Sequence, residues 1–212
     1  NNPTGTTLTK QELKKWVEEY FRGELSEGEL LWNSSGLRKK HWSIQREKGI
    51  TLIPSNDFSF YDGMLDTACL INAIPQNFSR LGLGMLDTYF AMAKGYQGPK
   101  GDVKALPMKK WFNTNYHYIV PVIEKDTVYK INSQKPFKEY AEALQSGIKT
   151  KPVIIGPFTF LKLSKISPEI NEGNIFNSIG DVYGDILMRF DECGTEFLQM
   201  DEPALVTDMS QR

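Results

Sequence analysis

The chain alternates between stretches in which hydrophobic residues recur every three or four positions and short runs in which they are continuous. The first pattern is typical of amphipathic helices, and the second is typical of strands that are buried on both faces. Thr9 and Glu12 are spaced as a capping box before the first helix, and Ser26 and Glu29 repeat this spacing before the second. Further helices are predicted over Leu86–Ala93, Phe137–Gln145 and Ile175–Cys193.

Short hydrophobic runs predict strands, and polar or turn-forming residues follow most of them. The predicted strands are Ile50–Pro54, Trp111–Tyr118, Pro152–Ile155 and Phe197–Met200. Because strands alternate with helices, we expect an α/β fold with a parallel sheet that helices cover on both sides. Polar clusters after successive strands favour a β/α barrel of the TIM type. A doubly wound sheet remains an alternative, although no Gly-x-Gly-x-x-Gly follows a strand.

The length of the chain bears on this barrel. Eight βα units take about 250 residues, whereas this chain has 212 residues and few predicted strands. We therefore expect a partial (β/α)8 barrel, either a fragment or a half that another segment or chain completes. Between Ile74 and Pro107, glycines and prolines interrupt the periodicity, so we expect a long connection with one short helix.

Composition and charge exclude several classes of protein. The 25 basic and 26 acidic residues leave no broad basic face for a nucleic-acid backbone. No run approaches the roughly 20 apolar residues that cross a bilayer, and the start of the chain lacks the apolar segment of a secretory signal. We expect a cytoplasmic protein that binds neither nucleic acid nor membranes. Cys69 and Cys193 lie in apolar helical patterns, which favours reduced, buried thiols.

The two histidines, His41 and His117, have no second histidine or cysteine at a metal-ligand spacing, so we expect no zinc site within this chain. His41 follows a helical pattern beside Trp42 and is interpreted as structural. His117 alternates with Tyr116 and Tyr118 in the predicted strand, which favours a packed, hydrogen-bonded histidine over a catalytic one.

Lysines and aromatic residues form the candidate binding groups. A ligand that has several carboxylates could pair with two lysine pairs, Lys14–Lys15 and Lys109–Lys110. Trp111, Phe112 and Tyr116 could stack on a flat ring. A solvated lysine face and ordinary core packing explain the same residues.

Adjacent carboxylates, Asp201 and Glu202, follow the last predicted strand and precede Pro203. In a barrel they would point into its mouth, where such a pair binds an amine, orients a lysine or acts as acid and base. A salt bridge to a neighbouring loop is the structural alternative.

Several blocks of the chain resemble the N-terminal domain of the cobalamin-independent methionine synthases. The blocks occur in the family's order from about residue 8 onward: Gln11–Lys15, Ile53–Asp62, Trp111–Tyr118, Lys151–Pro157 and Asp201–Leu205. The resemblance implies about the first five βα units of an N-terminal barrel over residues 8–212, preceded by a leader of unclear origin over residues 1–7. It also implies an enzyme that methylates homocysteine from 5-methyltetrahydrofolate polyglutamate.

In the family, a second, C-terminal barrel holds the catalytic zinc and the homocysteine pocket, and no cobalamin takes part. The resemblance therefore implies no catalytic or metal-binding residue here, a C-terminal catalytic domain as partner, and no activity for this chain by itself. Asp201 and Glu202 are interpreted as a structural remnant of duplication. The residues implied to bind the folate polyglutamate are Gln11, Glu12, Leu13, Lys14 and Lys110.

Gln11 stands where the family motif has an arginine, and this difference favours an alternative. In that alternative the chain is a noncatalytic scaffold that supports a partner domain without binding ligand. A barrel enzyme of the uroporphyrinogen decarboxylase type is disfavoured, because the arginines mostly fall in helical or terminal stretches.

Overall fold

The computed structural model describes residues 7–207, except for the side chains of residues 7–11 and 172. The helices are α1 (Thr7–Phe21), α2 (Glu27–Glu47), α3 (Gly63–Leu70), α4 (Gln76–Ser79), α5 (Met85–Lys94), α6 (Lys135–Gln145), α7 (Pro157–Leu163) and α8 (Glu172–Glu192), with a 3-10 helix over Pro203–Val206. The strands are β1 (Ile53–Ser55), β2 (Tyr96–Gly98), β3 (Gly101–Val103), β4 (Met108–Lys110), β5 (His117–Ile119), β6 (Val122–Ile123), β7 (Thr150–Ile155), β8 (Lys165–Ile166) and β9 (Gln199–Asp201).

The central sheet is parallel, with the strand order β1-β7-β9. Ile53 is in register with Thr150, and Val153 is in register with Gln199. A second parallel pair joins β6 to β8, whereas β2–β3 and β4–β5 are antiparallel hairpins. The predicted mixed α/β class with parallel strands is confirmed.

Local signals place the helices well. Ser26 and Glu29 form the predicted capping box of α2, in which the Glu29 N–H donates to Ser26 Oγ at 3.3 Å and the Ser26 N–H donates to Glu29 Oε2 at 2.8 Å. The capping box predicted at Thr9 and Glu12 involves the Thr9 side chain, which lies outside the described residues, and α1 begins at Thr7.

The main core lies between the sheet and the helices α6 and α8. Ile154 of β7 packs there with Phe137, Tyr140, Tyr183 and Phe190, which are all buried. A second cluster joins α1 to α5 through Phe90 and its aromatic neighbours. Burial of these large side chains supplies most of the stability of such a fold.

The two faces of the sheet are covered differently. Along β7 the side chains alternate, so that Ile154 is buried against helices while Lys151, Val153 and Ile155 are half-buried on the other face. That second face borders a cavity, and α3 also lines this cavity, with Gly63 close to the Ile155 side chain. The alternation has period 2, as it does in a sheet with one open face.

The strand predicted over Trp111–Tyr118 is confirmed only at its end, where β5 begins at His117. The segment spans the turn of the β4–β5 hairpin, and Phe112 adopts a left-handed backbone with a φ of 50°. A left-handed residue cannot continue a strand, whatever its side chain favours. The connection between Ile74 and Pro107 contains the predicted short helix as α5. It also contains α4 and the β2–β3 hairpin, which the sequence pattern does not reveal because these elements are only three or four residues long.

Both cysteines are free thiols, with Cys69 buried and Cys193 half-buried. Within residues 7–207, no helix combines the length and apolar character needed to span a membrane.

Candidate functional site

A cavity of about 640 Å³ lies at the carboxyl ends of β1, β7 and β9. Ligands of parallel α/β sheets bind at these ends, because the loops that follow the strands meet there. Most of the charged residues that line it are acidic: Asp57, Asp62, Asp66, Asp201 and Glu202.

Lys135, at the first turn of α6, holds one side of the cavity together. Its ammonium lies 2.8 Å from Asn56 Oδ1, 3.0 Å from Asp66 Oδ2 and 3.3 Å from Glu139 Oε1. Asn56 has a left-handed backbone with a φ of 57°, and its amide donates to the Val153 carbonyl at 2.9 Å. The strained end of β1 is thereby tied to both β7 and Lys135.

Arg38 of α2 extends this network away from the cavity. Its guanidinium lies 2.7 Å from Glu142 Oε2 and 3.6 Å from Glu139 Oε1. Burial raises the pKa of Glu139, against the opposing effects of Lys135 and Arg38. The network joins α2, α3 and α6 through charges that are largely shielded from water. In such surroundings, removing one charged residue leaves the opposite charge of its partner uncompensated.

Glu202 caps a helix. The backbone N–H groups of Phe158 and Thr159, at the start of α7, donate to its carboxylate at 3.0 and 2.6 Å. A carboxylate at this end also complements the helix dipole. The close approach requires Gly156, because a Cβ there would lie 2.1 Å from Glu202 Oε1.

Asp201, the neighbour of Glu202, belongs to a polar row across the open face of the sheet. Lys151 donates to Gln199, and the Gln199 amide donates to Asp201 Oδ1 at 2.6 Å. Both acidic residues line the cavity, as predicted, but their hydrogen bonds are made within the protein. The sequence interpretation of a salt bridge to a loop is therefore replaced by a helix cap and a cross-strand row.

Asp62 connects the cavity to the β4–β5 hairpin. It is the N-cap of α3, where Oδ1 accepts from the Leu65 N–H at 2.9 Å, and Oδ2 accepts from the Ile119 N–H of β5 at 2.9 Å. Burial raises the pKa of Asp62 to about 6, although these two hydrogen bonds act in the opposite direction. The side chain is an anchor, since both of its oxygens are occupied by backbone donors.

Four of the residues that the resemblance implies for folate binding, Glu12, Leu13, Lys14 and Lys110, are not among the residues that line this cavity. On α1, Glu12 and Lys14 are exposed and Leu13 is half-buried, while the side chain of Gln11 lies outside the described residues. Lys14 is 3.8 Å from Glu18 in an exposed ion pair. Lys110 is exposed at the end of β4.

The β4–β5 hairpin brings together residues that the sequence analysis treated separately. Lys110 lies directly opposite His117, and the Trp111 N–H closes the turn by donating to the Tyr116 carbonyl at 2.7 Å. Trp111 packs edge-on against the buried Tyr118, with ring centroids 5.6 Å apart. The prediction of a packed His117 is wrong, because this residue is exposed and borders the cavity.

Sequence reasoning missed the Lys135 network. One signal was available, since Asp66 interrupts the otherwise apolar stretch Met64–Leu70 and a charge in a buried helix requires a partner. Only Glu139, four positions later in α6, is a local partner of Lys135. The other two partners, Asn56 after β1 and Asp66 of α3, are distant in the sequence and do not mark it.

These features define an α/β protein with a polar cleft at the ends of its parallel strands. The sequence profile described as "Cobalamin-independent synthase, N-terminal domain" matches residues 8–212. The chain therefore belongs to the cobalamin-independent methionine synthase family, whose N-terminal domain it represents, and the resemblance seen in the sequence is confirmed.

Curated relatives agree with this family. The chain is 52% identical over 200 residues to a Streptococcus thermophilus protein named 5-methyltetrahydropteroyltriglutamate–homocysteine methyltransferase. It is 53% identical over 203 residues to a protein of the same name from Bifidobacterium longum. The alignments cover 94% and 93% of this chain but 27% and 26% of those relatives. The chain thus spans about a quarter of the length of the relatives that it matches.

Proposed function

We propose that this chain is the N-terminal part of a methyltransferase that transfers a methyl group from 5-methyltetrahydropteroyltriglutamate to homocysteine. In this proposal the chain helps to bind the polyglutamate tail. The observation that carries it is the match of the family domain to residues 8–212, together with relatives of that name that are more than half identical.

The proposed tail site consists of Gln11, Glu12, Leu13, Lys14 and Lys110. Its two lysines are exposed, and among the described residues Lys110 has no acidic partner. The ion pair of Lys14 with Glu18 is long and exposed, so a ligand carboxylate can replace it at little cost. Lysines of this kind suit a flexible chain of carboxylates, because each acts as an adaptable point charge.

We further propose that residues 8–212 form about the first five βα units of a (β/α)8 barrel, and that residues 1–7 are a leader. The parallel strands β1, β7 and β9 support this arrangement, as does the open polar face beside them. Further strands of the complete cytoplasmic enzyme would cover that face, and a C-terminal catalytic domain would be the partner of the finished barrel.

We propose no zinc site for this chain. Across residues 7–207, no group of three or more His, Cys, Asp or Glu side chains is placed to hold a metal ion. We assign zinc and homocysteine to the C-terminal domain and no bond-making step to this one. The isolated chain should therefore give no methyl transfer with zinc, homocysteine and the methylated triglutamate.

A noncatalytic scaffold remains the second candidate. The charged groups that line the cavity are used internally, since Lys135, Asp62 and Glu202 all bind protein atoms. Gln11, which replaces a family arginine, favours the same function.

Calorimetric titration separates the two functions. Tail binding predicts that the chain binds methyltetrahydrofolate triglutamate more tightly than the monoglutamate, and that Lys110→Ala weakens the triglutamate complex by about threefold to fivefold. Lys125→Ala is the matched control, because Lys125 is also exposed but follows β6 outside the proposed site. Equal, weak binding of both ligands would favour the scaffold.

A further inference from the structure

We propose that His117 is a second binding residue for the tail carboxylates, on the same face of the β4–β5 hairpin as Lys110. This inference rests on the proposed function and extends its site across the hairpin. The feature that motivates it is the register, in which Lys110 of β4 lies directly opposite His117 of β5.

Opposite residues of an antiparallel pair project from the same face, with their Cβ atoms about 5 Å apart. Both side chains are exposed, so this face of the hairpin offers two nitrogen donors side by side. Lys109, by contrast, lies opposite Tyr118, and strand alternation turns it to the other face. The hairpin therefore has one face that suits a row of carboxylates.

The donors on this face are available for a ligand. Among the described residues, the side chains of Lys110 and His117 form no hydrogen bond or ion pair. Lys135 and Lys151, which border the cavity, are both engaged within the protein. A donor without an internal partner exchanges only water when it binds a carboxylate, whereas an engaged lysine must first break its own contacts.

The hairpin is also held rigidly, which lowers the entropic cost of binding. The Trp111 carbonyl accepts from the Thr114 N–H at 3.1 Å and from Thr114 Oγ1 at 2.6 Å. The Ile119 N–H is fixed by Asp62, and Phe112 keeps a left-handed backbone in the turn. Unfavourable backbone of this kind occurs at binding sites, where the surrounding contacts impose it.

The acidic residues of the cavity indicate on which side of His117 the tail lies. His117 borders the cavity, but Asp57, Asp66 and Asp201 are among the cavity's lining residues and repel a polyanion. The tail should therefore cross the outer face of the hairpin, from Lys110 to His117, and stay at the rim. An imidazole donates an N–H to a carboxylate whether or not it carries a charge, and a charged ring adds attraction.

Titration of the chain with methyltetrahydrofolate triglutamate and monoglutamate tests this inference. His117→Ala should weaken triglutamate binding about threefold and leave monoglutamate binding unchanged. His117→Lys should keep triglutamate binding within about twofold of the original, because lysine also donates an N–H to a carboxylate from this position. Lys109→Ala, the control on the opposite face, should have the smaller effect. Unchanged far-ultraviolet dichroism and urea midpoints would show that the variants are folded.

The outcomes distinguish this inference from the proposed function. If Lys110→Ala weakens binding but His117→Ala does not, the role of His117 is wrong while the tail site stands. If Lys109→Ala weakens binding as much as His117→Ala, the attraction is general and the assignment of one face is overturned. If the unaltered chain does not prefer the triglutamate, both proposals fail.

Discussion

Replacement of Gly156 by alanine should displace the cap of α7, and the structure gives the size of the effect. The new Cβ would lie 2.1 Å from Glu202 Oε1 and 2.2 Å from its Cδ, so the carboxylate must leave. The backbone itself accepts alanine, since Gly156 has a φ of −75°. The N–H groups of Phe158 and Thr159 then lose their acceptor.

The cost follows from those two hydrogen bonds. Loss of a helix cap costs about 0.5–2 kcal/mol, and hydrogen bonds to a charged group are at the upper end of the range for proteins. We expect Glu202→Ala to lower the free energy of unfolding by about 2 kcal/mol. Gly156→Ala should cost slightly less, because alanine also reduces the entropy of the unfolded chain by roughly 0.4–1 kcal/mol.

Urea unfolding of the single and double variants measures the coupling. Both substitutions remove the same cap, so the double variant should be no less stable than Glu202→Ala, with a coupling energy of about 1–2 kcal/mol. Gly84→Ala is the matched control: Gly84 is the N-cap of α5, with a φ of −61° and no neighbour within 4 Å of the new Cβ. Additive costs in the double variant, or equal costs for the two glycines, would refute the reasoning.

Other consequences can be tested on the same chain. Burial raises the folded-state pKa of Asp62 to about 6. The contribution of Asp62 to the free energy of unfolding should therefore be greatest below pH 4 and fall by up to about 3 kcal/mol as the pH rises through 6. Asp62→Asn should flatten that fall in urea midpoints, and an unchanged slope would contradict it. Lys135→Met removes the cation that lies between the largely buried carboxylates of Asp66 and Glu139 and should cost about 3–5 kcal/mol, measured by thermal unfolding; a neutral result would mean that the network contributes little. Burial raises the pKa of the Cys69 thiol, so a thiol reagent should modify Cys193 first and Cys69 only on unfolding; equal rates would contradict this.

How much of the fold the sequence predicts depends on the range of the interactions involved. The capping box of α2 is encoded by Ser26 and Glu29, three positions apart, and the prediction holds because both partners belong to one turn. The strand Thr150–Ile155 is likewise marked by its own residues. Elements set by neighbours along the chain could therefore be found without the structure.

The hairpin and the cavity could not be predicted in this way. Phe112 and its aromatic neighbours favour a strand by composition, which masks the turn that the backbone hydrogen bonds of Trp111 with Thr114 and Tyr116 close. Lys135 and Asp66 form an ion pair but are far apart in the sequence, so no local pattern reveals the pair. Glu202 was visible as a functional candidate, but only the position of α7 shows that its carboxylate serves as a cap.

The proposed binding of a polyglutamate tail at the β4–β5 hairpin can be followed residue by residue. The measurement is of amide chemical shifts of isotopically labelled chain during titration with methyltetrahydrofolate triglutamate and then the monoglutamate. Tail binding predicts saturable shifts at Lys110 and His117 with the triglutamate, much smaller shifts with the monoglutamate, and loss of the difference in Lys110→Ala. Shifts confined to residues that line the cavity, such as Asp66 and Lys135, or no shifts at all, would contradict it.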